Sequence, residues 1–231
     1  MGEFDEIDGD HNFFDHTPPG KDPDSHSPTL RRYHKRLWSK PLPDGRPFEF
    51  HAGRSRSPYL VYEADGTRFV LGSDTIATRH RRRLSHLNAQ LPDEVNKAFR
   101  QRAYTICGFM IFPVSRGSIN QNRGTHLRIQ DRWDLTLEAI RRFYEGGMSP
   151  LATTMDRFTS FFDLFGSFDG YIDHFHLGDF VDASGAVRFL LPFDNFESPA
   201  LPSELPTYAR YRLDNLELFE ARRLRILNAI R

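Results

Sequence analysis

Tyr59-Leu60-Val61-Tyr62-Glu63-Ala64-Asp65-Gly66-Thr67-Arg68-Phe69-Val70-Leu71 decides the fold class. Two β-prone runs, Tyr59 to Glu63 and Arg68 to Leu71, flank Ala64-Asp65-Gly66-Thr67. Asp-Gly between such runs is the strongest short-range signal for an antiparallel hairpin, because both turn residues must take positive φ. Hairpin strands need no helical crossover. The helical segments elsewhere do not alternate strictly with strands, so the pattern predicts an α+β fold.

Outward from the hairpin, Ser27 or Thr29 is placed to cap a helix over Leu30 to Ser39, and Pro41, Pro43 and Pro47 end it. Phe48-Glu49-Phe50 reads as a short strand. Ser73-Asp74 reads as the cap of a basic helix running from Thr75 through Leu91, and Pro92-Asp93-Glu94 opens another to about Arg102. Tyr104 to Phe112 is apolar and β-prone, a buried strand ending at Pro113. Val114 to Arg128 reads as a polar loop. Asp131 to Tyr144 is the clearest helix, capped by Asp131 and stopped by Gly146-Gly147. Pro150 to Phe165 reads as a second helix, Gly170 to Phe180 as a strand or mixed segment, Asp182 to Gly185 as a turn, and Val187 to Leu191 as a strand. Pro206 to Ile230 reads as a long basic amphipathic helix with Leu213 and Leu224 among its buried residues. The expected architecture is one domain over 29–231, a mixed sheet packed with several helices, preceded by a loop-rich acidic arm over 1–28.

The chain has 231 residues, with 31 Lys and Arg against 31 Asp and Glu. Zero net charge argues against a wholesale nucleic-acid or membrane binder. The charge is nevertheless segregated: Met1 to Pro28 holds eight acids and one base, whereas Thr29 to Ser57 holds eight bases and two acids. Such blocks are expected to pair within the fold. One cysteine, Cys107, cannot form an internal disulfide, and its apolar surroundings make it a core residue. No apolar run reaches about 18 residues and no signal peptide is visible, so a cytoplasmic protein with no membrane segment is expected. No P-loop, G-x-G-x-x-G or nucleophile elbow is present. The sequence names no cofactor.

A polar cluster carries the chemistry. On a helix, Asp131, Asp134 and Glu138 share one face, and Arg141 and Arg142 follow within reach of Glu138. Asn120 and Arg123 precede this helix and Arg132 lies in its first turn. Guanidinium forks and helix N-termini suit phosphate. One reading is therefore a nucleotide or RNA ligand held by Asn120, Arg123, Arg132 and Arg141, with Asp131, Asp134 and Glu138 as catalytic carboxylates. The other is a non-enzymatic interaction or inhibitory protein, with a protein partner, whose Arg–carboxylate cluster is structural. Exposure of Arg123 and Arg132 separates the two. Asp173, His174, His176 and Asp179 form a second cluster whose residue types suit a divalent metal but whose spacing matches no closed zinc motif. Arg81 and His86 satisfy the loose R-x4-H spacing of some helical ribonucleases.

Ile119-Asn120-Gln121-Asn122-Arg123-Gly124 followed by Ile129-Gln130-Asp131-Arg132-Trp133-Asp134-Leu135-Thr136-Leu137-Glu138-Ala139-Ile140-Arg141-Arg142-Phe143-Tyr144 resembles a family of uncharacterised bacterial and phage-borne proteins carrying a domain of unknown function. The segments Thr17 to Asp24, Ser27 to His34, Leu37 to Pro43, Phe162 to Gly170 and Leu191 to Asp194 are similar to it as well. The resemblance implies an intracellular protein, placed in mobile or defence loci, and no established activity. The family pattern has Pro-Gly-Asn after the central strand where this chain has Pro113-Val114-Ser115, which removes a backbone anion nest there.

Overall fold

Asp65 and Gly66 adopt φ of 50° and 75°, the two positive values of a type I′ turn. They join β2 (Leu60–Ala64) to β3 (Thr67–Thr75). A computed structural model describes residues 6–52, 59–76, 83–114 and 118–230. In it the hairpin is the centre of a sheet ordered β1-β2-β3-β4, with β1 His51–Ala52 and β4 Phe109–Pro113. Every strand pairing among the described residues is antiparallel, where a mixed sheet was expected.

The helices are α1 (Pro23–His26), α2 (Pro28–Trp38), α3 (Ser85–Asn88), α4 (Asp93–Ala103), α5 (Ile119–Thr125), α6 (Trp133–Tyr144), α7 (Ala152–Asp156), α8 (Thr159–Phe162), α9 (Phe168–His174) and α10 (Leu205–Ala229). Ser27 caps α2, its hydroxyl accepting from the Leu30 amide. All of β4 is buried, and the main core gathers aromatic residues from the arm, the sheet and α6 to α9. Leu84, Leu87, Leu91, Leu191, Tyr208 and Tyr211 form a smaller cluster under α10.

Several local expectations give way to long-range pairing. Ser73 and Asp74 do not cap a helix: they extend β3, because Gly72 to Thr75 pair with Phe109 to Phe112. Of the basic helix expected over 75–91, only Ser85–Asn88 is helical among the described residues; Arg81 lies outside them. Phe48 and Phe50 are buried but have no ladder partner. Residues 106–108 form a 3-10 turn before β4. The polar loop over 114–128 contains α5. The helix expected over 150–165 is broken into α7, α8 and a 3-10 turn, which lets Phe161, Phe162, Leu164 and Phe165 all reach the core. A straight helix presents only one stripe inward. The segment Gly170 to Phe180 begins as helix α9, capped by Ser167. Val187 makes one isolated bridge to Val181 instead of a strand. On α10, Leu213 and Leu224 are exposed while Arg212, Asn215 and Arg222 are buried.

The arm docks from residue 6 onward. Ile7 and Phe13 join the core, the Phe13 amide donates to the Tyr104 carbonyl, and Asp10 pairs with Arg102 and Arg223.

Candidate functional site

The sequence-predicted cluster divides into three separate knots. The first is built on Arg123. Asp131 does not cap α6; Gln130 and Asp131 both take left-handed backbone, φ 59° and 55°, and Arg132 occupies the cap position. That kink turns the Asp131 carboxylate onto Arg123, whose Nη1 lies 3.0 Å from it and 2.9 Å from Asp74. The same nitrogen donates to the Thr75 carbonyl, and Nε donates to the Thr136 hydroxyl. Arg123 is 1% exposed. Burial pulls its pKa down, and the Asp131 and Asp74 charges outweigh that and raise it. Asp74 is pushed up to about 6 by burial, with Asp131 adding to the rise and Arg123 opposing it. Burial and Asp74 likewise raise Asp24.

A hydrogen-bond chain leads into this knot. Trp38 Nε1 can only donate, and it donates to His34 Nδ1 at 2.8 Å. His34 Nε2 therefore carries the proton and donates to Ser73 Oγ at 2.8 Å. Burial holds His34 at about 3, so it is neutral. A histidine that donates to a serine cannot act as its base, and Ser73 is not an activated nucleophile.

The second knot is Arg132 with Asp134. Nε and Nη2 grip both carboxylate oxygens at 3.0 and 2.5 Å, and Nη1 donates to the Ala200 carbonyl. Asp134 also accepts from the amides of Leu135 and Leu190. The Leu190 amide is thereby withdrawn from the strand expected over 187–191. The third knot is Glu138, held by Arg141 at 2.8 Å and Arg142 at 2.7 Å, with Glu145 on the far side of Arg141. Asn120 lies on α5 and is half-buried.

Arg132 is 0% exposed and Arg123 nearly so. Apart from Arg123 Nη2, which is buried without a hydrogen-bond partner among the described residues, the donors described above face protein carboxylates, carbonyls and the Thr136 hydroxyl. Around Arg123 the carboxylates of Asp74 and Asp131 exceed the single positive charge, which repels a phosphate.

The second sequence cluster is dispersed too. His176 Nε2 lies 3.2 Å from Lys40, Asp179 pairs with Arg225, and His174 stacks among Phe48, Phe165 and Phe175. Among the described residues no group of three or more His, Cys, Asp and Glu is arranged to hold a metal ion. No described helix is long and apolar enough to cross a membrane.

Two clefts are lined in part by the arm. The larger, about 960 Å³, is walled by Asn12, Phe14 and Asp15 of the arm, by α3 and α4, and by Tyr208 and Arg212 of α10. Its interior is ordered by hydrogen bonds. Asn96 donates to the Asn88 carbonyl, Tyr208 donates to the Asn88 side chain, and Arg212 donates to Asn96 Oδ1. The buried Arg212 guanidinium lies flat over Phe99 at 3.5 Å. Lys97 and Arg100, one turn apart on α4, are exposed at its rim and make no ion pair among the described residues. Phe14 is 41% exposed there. None of the residues singled out by sequence lines this cleft. One signal for it was present: Arg212, Asn215 and Arg222 occupy the apolar stripe of α10, where polar residues need a reason.

A family model described as "Family of unknown function (DUF6994)" matches residues 7–226. No curated protein matches the chain, and no solved structure does.

Proposed function

The chain belongs to the DUF6994 family, whose description assigns no activity, and we propose from its geometry that it binds a phosphate-bearing small molecule of nucleotide size in the cleft between the arm, α4 and α10. One observation carries this: a cleft of about 960 Å³ combines Lys97 and Arg100, exposed and in no ion pair with the rim carboxylates Asp15, Asp93 and Glu94 among the described residues, with an ordered amide and arginine–aromatic wall. That volume is near the top of the range for ligand sites, which pair apolar surface with a few fixed polar groups. The cations suit a phosphate, and Asn88, Asn96 and Gln101 offer both donors and acceptors to a planar base. The Arg–carboxylate knots then serve to hold the fold.

The test is a thermal-shift series with nucleoside mono- and triphosphates, NAD and ADP-ribose, against the matching unphosphorylated nucleosides. At about 100 times its Kd a ligand adds roughly 2.7 kcal/mol, which raises Tm by about 5–10 °C in a chain of this size. The expected result is a rise with a phosphorylated compound, little with its nucleoside, and none in Lys97→Glu/Arg100→Glu. No rise with any compound, or an equal rise in the double variant, overturns the proposal.

A further inference from the structure

Arg32, Lys35 and Arg36 stand at i, i+3 and i+4 on α2, so their side chains leave one face of the helix. The opposite face, Leu30, Tyr33, His34, Leu37 and Trp38, is buried. All three cations are exposed, and none makes an ion pair among the described residues. That contrasts with Arg102, Arg123, Arg132, Arg223 and Arg225, each matched to a carboxylate. Like charges at this spacing repel, so the fold gains nothing from grouping them. They border the smaller cleft, about 360 Å³, which Ile7 and Tyr33 line with apolar surface and Glu6 and Ser39 close. Beside it, His11 and His16 stack at 4.3 Å, and burial, with the charges of His16 and Arg32, keeps His11 below its ordinary pKa.

We propose that this face of α2 is a contact surface for the phosphodiester backbone of a single-stranded nucleic acid. Arg32 and Arg36 can each grip a phosphate with two N–H groups, and Lys35 supplies a point charge between them. The cleft is concave with apolar lining, so it accepts an unstacked base beside the backbone, which a closed duplex does not present. The two clefts share no lining residue, so this surface is independent of the small-molecule cleft.

The experiment is fluorescence anisotropy of a labelled 12-nucleotide oligo-U with the full chain, repeated from 50 to 300 mM NaCl. Three phosphate contacts predict a slope of log K against log salt of about −2, since each contact contributes about 0.7 on a single strand. Arg32→Gln/Lys35→Gln/Arg36→Gln is expected to lower affinity at least about tenfold and flatten the slope, with little change in Tm because the three are exposed and make no ion pair among the described residues. Lys97→Glu/Arg100→Glu is expected to bind the oligonucleotide like the wild type. Absence of binding at 50 mM salt, or full binding by the triple variant, overturns the proposal. So does equal binding of a duplex of the same length, or equal competition by a polyglutamate peptide, which would assign the face to an acidic protein segment.

Discussion

Arg132 and Asp134 are enclosed together, and each is the other's main compensation for lost water. Breaking such a pair leaves a bare buried charge and costs about 3–5 kcal/mol, whereas replacing both partners with apolar residues is often neutral. Asp134→Ala is therefore expected to lower Tm by about 10 °C, and Arg132→Met/Asp134→Leu to recover most of that loss, apart from the Leu190 amide that Asp134 also satisfies. Denaturant melts of the two single variants and the double variant measure the coupling; additive losses contradict the account. Titration supplies a second test. Burial holds His34 and His174 at about 3 and His176 at about 4, against 6.5 for an ordinary histidine. The unfolded chain takes up these protons first, so the stability they contribute is complete above about pH 6.5 and is lost as pH falls toward 3. Asp74, raised to about 6 by burial, and Asp24, raised in the same way, act with the opposite sign. Each contributes stability at low pH that is lost as pH rises through its folded value. His11, lowered by burial as well, adds to the three histidines against the two carboxyls, so stability should fall as pH drops from 6 to 4. Urea midpoints across that window check it, and a rise on acidification contradicts it.

At the scale of elements, Arg222 fastens α10 from inside the core, where it is fully buried. Arg222 donates from Nη1 to the carbonyls of Cys107 and Phe109 and from Nη2 to the Phe175 carbonyl, so it joins the helix to the edge of β4 and the end of α9. Burial lowers its pKa to about 10, still charged at neutral pH. Arg222→Met leaves three buried carbonyls short of a donor, at about 1–3 kcal/mol each, and hydrogen exchange of β4 and α10 amides should accelerate by at least tenfold. Unchanged protection would show that apolar packing alone holds α10. The hairpin, α2, α4, α6 and α10 were legible in the sequence because local signals and tertiary demands agree there: Asp65-Gly66, Ser27, Pro92 and the helical spacing on α6. Ser73-Asp74 misled because a cap signal is worth about 1 kcal/mol while β3 gains five cross-strand partners on β4. The run from Phe168 to Phe175 carries the helical spacing i, i+3, i+4, i+7 in Phe168, Tyr171, Ile172 and Phe175, and the strand reading missed it by starting at Gly170, beyond the Ser167 cap and the first apolar position. Of the site, the Arg–carboxylate partners Glu138, Arg141 and Arg142 followed from spacing on one helix. Asp74 on Arg123 and Leu190 on Asp134 did not, since both meet across long stretches of chain.

Over the whole molecule much of the segregated charge pairs internally. Asp10 of the acidic arm binds Arg102 and Arg223, and Asp179 binds Arg225, so acidic and basic segments pair as expected from the sequence. Lys97 and Arg100 on α4 and Arg32, Lys35 and Arg36 on α2 make no ion pair among the described residues and line the two clefts. On the proposed function, Arg123 and Arg132 hold the fold while Lys97 and Arg100 hold the ligand. Isothermal titration of the best phosphorylated compound from the thermal-shift series into Arg123→Ala and Arg100→Glu, each with its melting curve, tests it most directly. The account predicts that Arg123→Ala melts about 10 °C lower, as expected for a broken buried pair, yet binds with unchanged Kd below its melt. Arg100→Glu is predicted to keep its Tm and lose at least about tenfold in affinity, the loss of one charge-assisted phosphate contact. The reverse pattern, with binding lost in Arg123→Ala and retained in Arg100→Glu, would contradict it and return the ligand to the Arg–carboxylate cluster.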